Sequence, residues 1–210
     1  VARTSDPHSA TLKAWETRGR ARAGSGSDPT QIRGGNAYGG EEEFPETKDY
    51  AGFIKARSQH PLTAYTSPLS ESDLKDRHVF MSKDGKTGYT IDQNGDLGNV
   101  FNLPGGEKGR GSRAVVDAIQ RGAKTLDCFD GFLPQFYVDH GFVPVARLKF
   151  DPAQAPATWE KRFGTPDVVF MRYEGGPRRT LGARRGSFGK VRLEDAGYVS
   201  DYDSGQSAAR

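Results

Sequence analysis

Residues 105–142 read GGEKGRGSRAVVDAIQRGAKTLDCFDGFLPQFYVDHGF, and their order decides the fold. Val115, Val116, Ile119 and Ala123 share one face at helical spacing, with Arg113, Asp117 and Arg121 opposite. That pattern predicts a helix over residues 112–122. Gly122 closes it, as a glycine just past a helix commonly does. The next apolar run, AKTLDCF, predicts a short buried strand, and GFLPQFYVDHGF a second helix ending at Gly141. With a strand ending at Leu103, the succession is strand, glycine-rich basic turn, helix, strand, helix.

Upstream, HVFMSKDGKTGYTIDQNGDLGNVFNL reads as three short strands. They are joined at Asp84-Gly85 and Asn94-Gly95, dipeptides that tolerate the positive φ of tight hairpins. Before them, SPLSESDLKDR predicts a helix start at Ser67 or Ser70 with Leu69 and Leu74 turned inward. Downstream, VPVARLKFD and DVVFMRYEG predict two more strands. The expected fold is α/β: a mixed, mostly antiparallel central sheet with helices on both faces. Four strands fall before or at the glycine turn and three after it.

Composition places the rest of the chain. Of 210 residues, 34% are hydrophobic, and the mean hydropathy of −0.72 is low for a chain packed throughout. Glycine, with 27 residues, clusters near both ends. Residues 1–50 are expected to be an extended arm or linker with one short helix over residues 10–20, residues 51–175 the folded domain, and residues 176–210 a flexible basic tail. Within that tail, the stretch from Arg178 to Arg192 carries six basic residues and no acidic one. It is either a solvated segment or a contact for nucleic acid or another polyanion. The single cysteine, Cys128, excludes an intramolecular disulfide and fits a reducing compartment. The opening VARTSDPHSA lacks a secretory pattern and no long apolar run is present, so a cytoplasmic location without membrane contact is expected. A start at Val1 fits excision from a longer chain.

The glycine turn points to chemistry. A helix N-terminus presents unsatisfied N–H groups and the positive end of the dipole, and Lys108, Arg110 and Arg113 add charge, a setting suited to a pyrophosphate. Gly109 and Gly111 let backbone approach an anion closely. DGKTG at residues 84–88 is no P-loop, because Phe80 stands where the leading glycine belongs.

Gly109-Arg110-Gly111, followed by Asp130, Leu133, Tyr137 and Gly141-Phe142, resembles the core of the GCN5-related N-acetyltransferases. That family has a Gln/Arg-x-x-Gly-x-Gly/Ala turn, then a strand, then an Asn-x-x-Ala-x-x-x-Tyr helix closing in Gly-Phe. Gly106 departs from the family's Gln/Arg, Asp130 replaces its asparagine and Leu133 its alanine. The resemblance spans roughly half the chain. It implies acetyl-CoA as cofactor, with the pantetheine arm beside Asn99, Val100, Phe101, Asn102 and Leu103. The pyrophosphate would lie on Lys108, Gly109, Arg110, Gly111 and Ser112. Tyr137 would be the general acid for the departing thiolate, or else a packed core tyrosine.

A base for the amine is not evident. Asp96, Asp127 and Asp130 are the candidates, and Asp127 or Asp130 would equally cap the following helix. Cys128 with His140 of Asp139-His140 has the composition of a nucleophile and base, against the commoner buried structural cysteine. His60 and His78 have no partner at metal-ligand spacing, and no metal is expected. Two functions follow: transfer of an acetyl group to an amine, small molecule or protein, or a catalytically inactive module of the same fold in a larger assembly. HPLT, GDLGNVFN and LDCFDG are also similar in texture to acetyltransferase-like segments of bacteriophage proteins, which would imply a virion-associated module assembling through its N-terminal arm.

Overall fold

A computed structural model describes residues 43–159, 164–175 and 191–210. The expected helix over residues 10–20, the glycine-rich arm and most of the Arg178 to Arg192 stretch lie outside the described residues. Helix α1 is Tyr50–Ser58, followed by a single 3-10 turn at Thr63–Tyr65 and a short α2, Glu71–Leu74. Strands β1 (Arg77–Met81), β2 (Thr87–Asp92) and β3 (Leu97–Asn102) form an antiparallel meander. After the glycine turn come α3 (Arg110–Gln120), β4 (Thr125–Phe129), α4 (Leu133–Val138), β5 (Phe142–Leu148) and β6 (Val168–Tyr173). The chain closes with β7 (Gly197–Val199) and α5 (Tyr202–Ala209).

The local chemistry explains these boundaries. Asp49 caps α1 by accepting from Gly52 N–H at 2.9 Å, and Ser70 with Asp73 forms a reciprocal box at the head of α2. Gly85 and Gly95 turn the two hairpins with φ of 67° and 85°. α3 starts at Arg110 because Gly109, at φ 82°, occupies the left-handed region just ahead of it. It ends at Gly122, φ 99°, where Ala123 N–H reaches back to the Ala118 carbonyl at 2.9 Å.

Among the described residues seven strands form two sheets: β1-β2-β3, and β4-β6-β5-β7 with β7 parallel to β5 and the other pairs antiparallel. Of these described strands three precede the glycine turn and four follow it, where four and three were expected. One apolar layer runs beneath both sheets, where Tyr89, Leu97 and Val100 meet Leu126, Cys128 and Met171 over Val115 of α3 and Phe136 of α4. The opposite face is divided. Phe53 of α1, Leu74 and Phe101 pack over the first sheet, while Tyr65, Phe170 and Ala209 of α5 pack over the second. Each such ring or branched chain contributes about 1.5–3 kcal/mol by leaving water.

Both flanks depart from expectation. Residues 43–50 belong to the domain: Phe44 is fully buried, and Thr47 N–H and Met81 N–H bond across to the Val79 and Pro45 carbonyls. Residues 191–210 are folded too, which corrects the expected flexible tail over this part of residues 176–210. Asp201 caps α5 by accepting from Ser204 N–H at 2.8 Å. Tyr202 sets its ring against Phe170, centroids 5.2 Å apart, and Gly205 allows the helix to lie directly on that ring.

Candidate functional site

β3 and β4 run parallel, side by side, yet make no ladder. They meet at one bridge, Asp96 with Thr125, supported by Lys124 N–H to Gly95 O at 2.8 Å. Beyond it, among the described residues, each strand pairs only on its far side, β3 with β2 and β4 with β6. A register shift opposite Gly88–Thr90 turns β3 at this point, and Asn99 takes the uncommon positive φ of 51°. The two strands thus part, leaving two unpaired backbone edges facing each other, and both lead upward to the turns that precede α3 and α4.

Asp127 stands two residues beyond the bridge on β4. Leu126 and Cys128 face the α3 and α4 layer, so alternation sends Asp127 to the opposite face. There it is 4% exposed and accepts from Tyr202 Oη of α5 at 3.0 Å. Burial, then the charges of Asp127 and Asp96, push the Tyr202 phenol well above its ordinary value, so it stays a donor to the carboxylate. Asp96 accepts from Thr125 Oγ1 at 3.2 Å and faces Arg77 at 4.0 Å. Sequence reading found Asp127 and Asp96 but not Tyr202. Its signal was Asp201 three residues before Ser204, a helix cap in a polar segment.

Asn99 to Leu103, the residues expected to lie beside a pantetheine arm, are on or just past β3, and Asn99 Nδ2 donates to Thr90 Oγ1 at 3.1 Å. The glycine turn follows as expected, but its arginines are engaged. Arg110 meets Asp84 at 2.6 Å, Glu107 at 3.0 Å and Glu43 at 3.3 Å. Arg113 grips Glu43 through Nε at 3.1 Å and Nη2 at 2.9 Å, and meets Glu107 at 2.9 Å. Hydrogen bonding to Glu43 leads the causes that raise Arg113 above the usual arginine value. Lys108 is exposed. Beside the turn, Lys55 and Lys86 flank a groove of about 500 Å³, and the Lys86 ammonium donates to the Gly105 carbonyl at 3.0 Å.

Tyr137 is 1% exposed and packs edge-on against Phe136 and Phe142, on the face of β4 opposite Asp127. Asp130 sits at the C-terminal end of β4 on the rim of a cleft of about 600 Å³. That cleft is larger than the groove beside the glycine turn but lies at the β5–β6 end, away from β3. Cys128 does not meet His140: its thiol faces Met171 Sδ at 3.9 Å. His140 instead lies 2.5 Å from Ser112 Oγ, and its Nδ1 is 2.7 Å from the Phe136 carbonyl. A carbonyl only accepts, so Nδ1 carries the proton and Nε2 accepts from Ser112. This bond ties the head of α3 to the end of α4. His78 pairs with Glu46 at 2.9 Å. Among the described residues no three His, Cys, Asp or Glu side chains gather as metal ligands, and no helix is long and apolar enough to cross a membrane.

No family model matches this chain, and no curated protein matches it either.

Proposed function

We propose that the chain is an N-acetyltransferase of the GCN5-related type, taking acetyl-CoA between β3 and β4. The carrying observation is the pair of parallel strands joined only at Asp96 and Thr125 and parted beyond, with a glycine turn opening α3 above them. An extended arm with amide groups finds backbone donors and acceptors along such unpaired edges. The turn offers the pyrophosphate the head of α3 and Lys108.

Asp127 is the base in this reading. It is a buried acceptor on the roofed face of β4, held in place by Tyr202, and it takes a proton from the acceptor ammonium to give the neutral amine that attacks the thioester carbonyl. Tyr137, across β4 on the other face, is the donor for the thiolate. Because it is closed into the core, its part requires the strands to separate further as the cofactor enters. When bound, acetyl-CoA supplies the activated acyl group.

A second reading, a non-catalytic module of the same fold, rests on the pairing of Arg110 and Arg113 with carboxylates of the chain itself. Calorimetric titration with acetyl-CoA separates the two. Micromolar binding, lost in Gly111→Glu and weakened in exposed Lys108→Glu, supports the transferase. Absence of binding at millimolar ligand sinks it. Given binding, Asp127→Asn is expected to lower kcat/KM by about 100-fold or more, the scale of a lost general base, with cofactor affinity unchanged.

A further inference from the structure

The face that bears Asp127 is roofed by one stretch of chain. α1 rests on β3 through Phe53, whose ring lies 5.4 Å from that of Phe101. The 3-10 turn rests beside β4, where Tyr65 joins Phe129 and Phe170 in one cluster. Residues 54–64 therefore cross from one sheet to the other over the parted strands.

Two side chains in that crossing are buried without an acceptor. Arg57 lies one turn after Phe53 on the sheet-facing stripe of α1 and is 5% exposed. His60 is 3% exposed. Nη2 of Arg57 and Nε2 of His60 are both sealed from solvent, and neither has a hydrogen-bond partner among the described residues. The His60 tautomer is fixed, because Nδ1 accepts from Leu62 N–H at 3.2 Å, leaving Nε2–H as a donor. No carboxylate of a described residue pairs with Arg57, and burial alone lowers its pKa, to about 10. A desolvated guanidinium lacking a counter-charge is strongly unfavourable, and orphaned buried donors are rare enough to require a purpose. A third orphan, Asn99 Oδ1, is an acceptor on the same face, since its own Nδ2 bonds Thr90 between the inward-facing Tyr89 and Ile91.

We infer that Arg57 and His60 anchor the carboxylate of the acceptor, so that the substrate is an amine bearing a nearby carboxylate, an amino acid or a chain terminus. This rests on the transferase reading for its acceptor. A carboxylate has the acceptor lone pairs that both donors lack. Its single charge matches the site: burial, and then the Arg57 charge, lower His60 to about 4, so at neutral pH the pair carries one positive charge. A phosphate monoester would bring closer to two negative charges and leave an excess buried. Asn99 Oδ1 supplies the remaining acceptor for the ammonium before Asp127 takes its proton.

The test has two arms on the full chain. In the first, acetate and its neutral isostere acetamide are titrated while the His60 imidazole and Arg57 guanidinium resonances are followed by NMR, with no cofactor present. Acetate is expected to shift both saturably, acetamide neither, and Arg57→Met to weaken acetate by at least about tenfold. Arg57→Lys, which keeps the charge and the stem, should recover part of that loss. In the second arm, acetyl transfer to an amino acid is compared with transfer to its amide. The acid is expected to be preferred, and the preference to vanish in Arg57→Met. Equal response to acetate and acetamide, no response, or no preference for the acid would each overturn the assignment. The first arm needs no acetyl-CoA, so its failure is distinct from failure of the transferase reading, which the calorimetry alone decides.

Discussion

His60 illustrates how a single buried group links packing to acidity. In the folded chain, burial and then the adjacent Arg57 hold its pKa near 4, against the ordinary 6.5. Between those values the unfolded chain binds a proton that the folded chain refuses. Stability is therefore full above pH 6.5 and falls as the pH drops to about 4, by on the order of 3 kcal/mol. His60→Gln is expected to remove that slope, as read by urea denaturation at a series of pH values; an unchanged slope would assign acid sensitivity elsewhere. At this scale the sequence was only partly readable. Asp127 was legible because a carboxylate inside an apolar strand is conspicuous. Arg57 and His60 were not, since KARSQHP has the composition of an exposed helix end and nothing in it announces burial. Tyr137 was legible as a helix tyrosine, but spacing alone could not place its ring within the core.

Among the elements, α3 and β2 are bound by a buried polar chain. Tyr89 donates its hydroxyl to Asp117, and Arg121 grips the same carboxylate at 2.9 Å while lying 4.4 Å over the Phe80 ring. Asp117 is only 2% exposed. Tyr89→Phe leaves that carboxylate short of a donor and is expected to cost about 1–3 kcal/mol, measurable as a lowered denaturation midpoint without change of slope. Glu43 at the head of α3 makes an opposite forecast for binding. Glu43→Gln leaves Arg113 with Glu107 as its remaining carboxylate and is expected to tighten acetyl-CoA severalfold in low salt, less so as salt is raised; a weakened complex would show the pair to be needed for the turn's shape. Hairpins and α3 were readable because their glycines and apolar period are local signals. α5 was not, because DYDSGQSAA is polar and its docking depends on Gly205 meeting Phe170, some 35 positions earlier. A Cβ at Gly205 would stand 2.2 Å from that ring. Gly205→Ala is therefore expected to loosen α5 and expose Asp127, seen as faster amide exchange in residues 202–209.

Taken whole, the molecule depends on its last residues more than composition implied. β7 extends the second sheet by pairing with β5, and Tyr198 is held there between Arg147 and Lys149, with its hydroxyl on Asp167 at 2.6 Å. These contacts bring together positions about thirty to fifty residues apart, the kind of information that neither hydropathy nor spacing carries.

The arrangement of strand edges has a further consequence. β1, at one margin, is overlaid by residues 45–47 through the bridge of Glu46 to Phe80, and the opposite margin ends in a strand of three residues. Exposed strand margins are where chains add to one another and form aggregates. Here the longest bare margins, those of β3 and β4, face inward across the gap. A neighbouring molecule cannot reach them without lifting the roof that residues 54–64 form, so margins that would be a hazard on the outside of a sheet are kept from other chains by the fold itself.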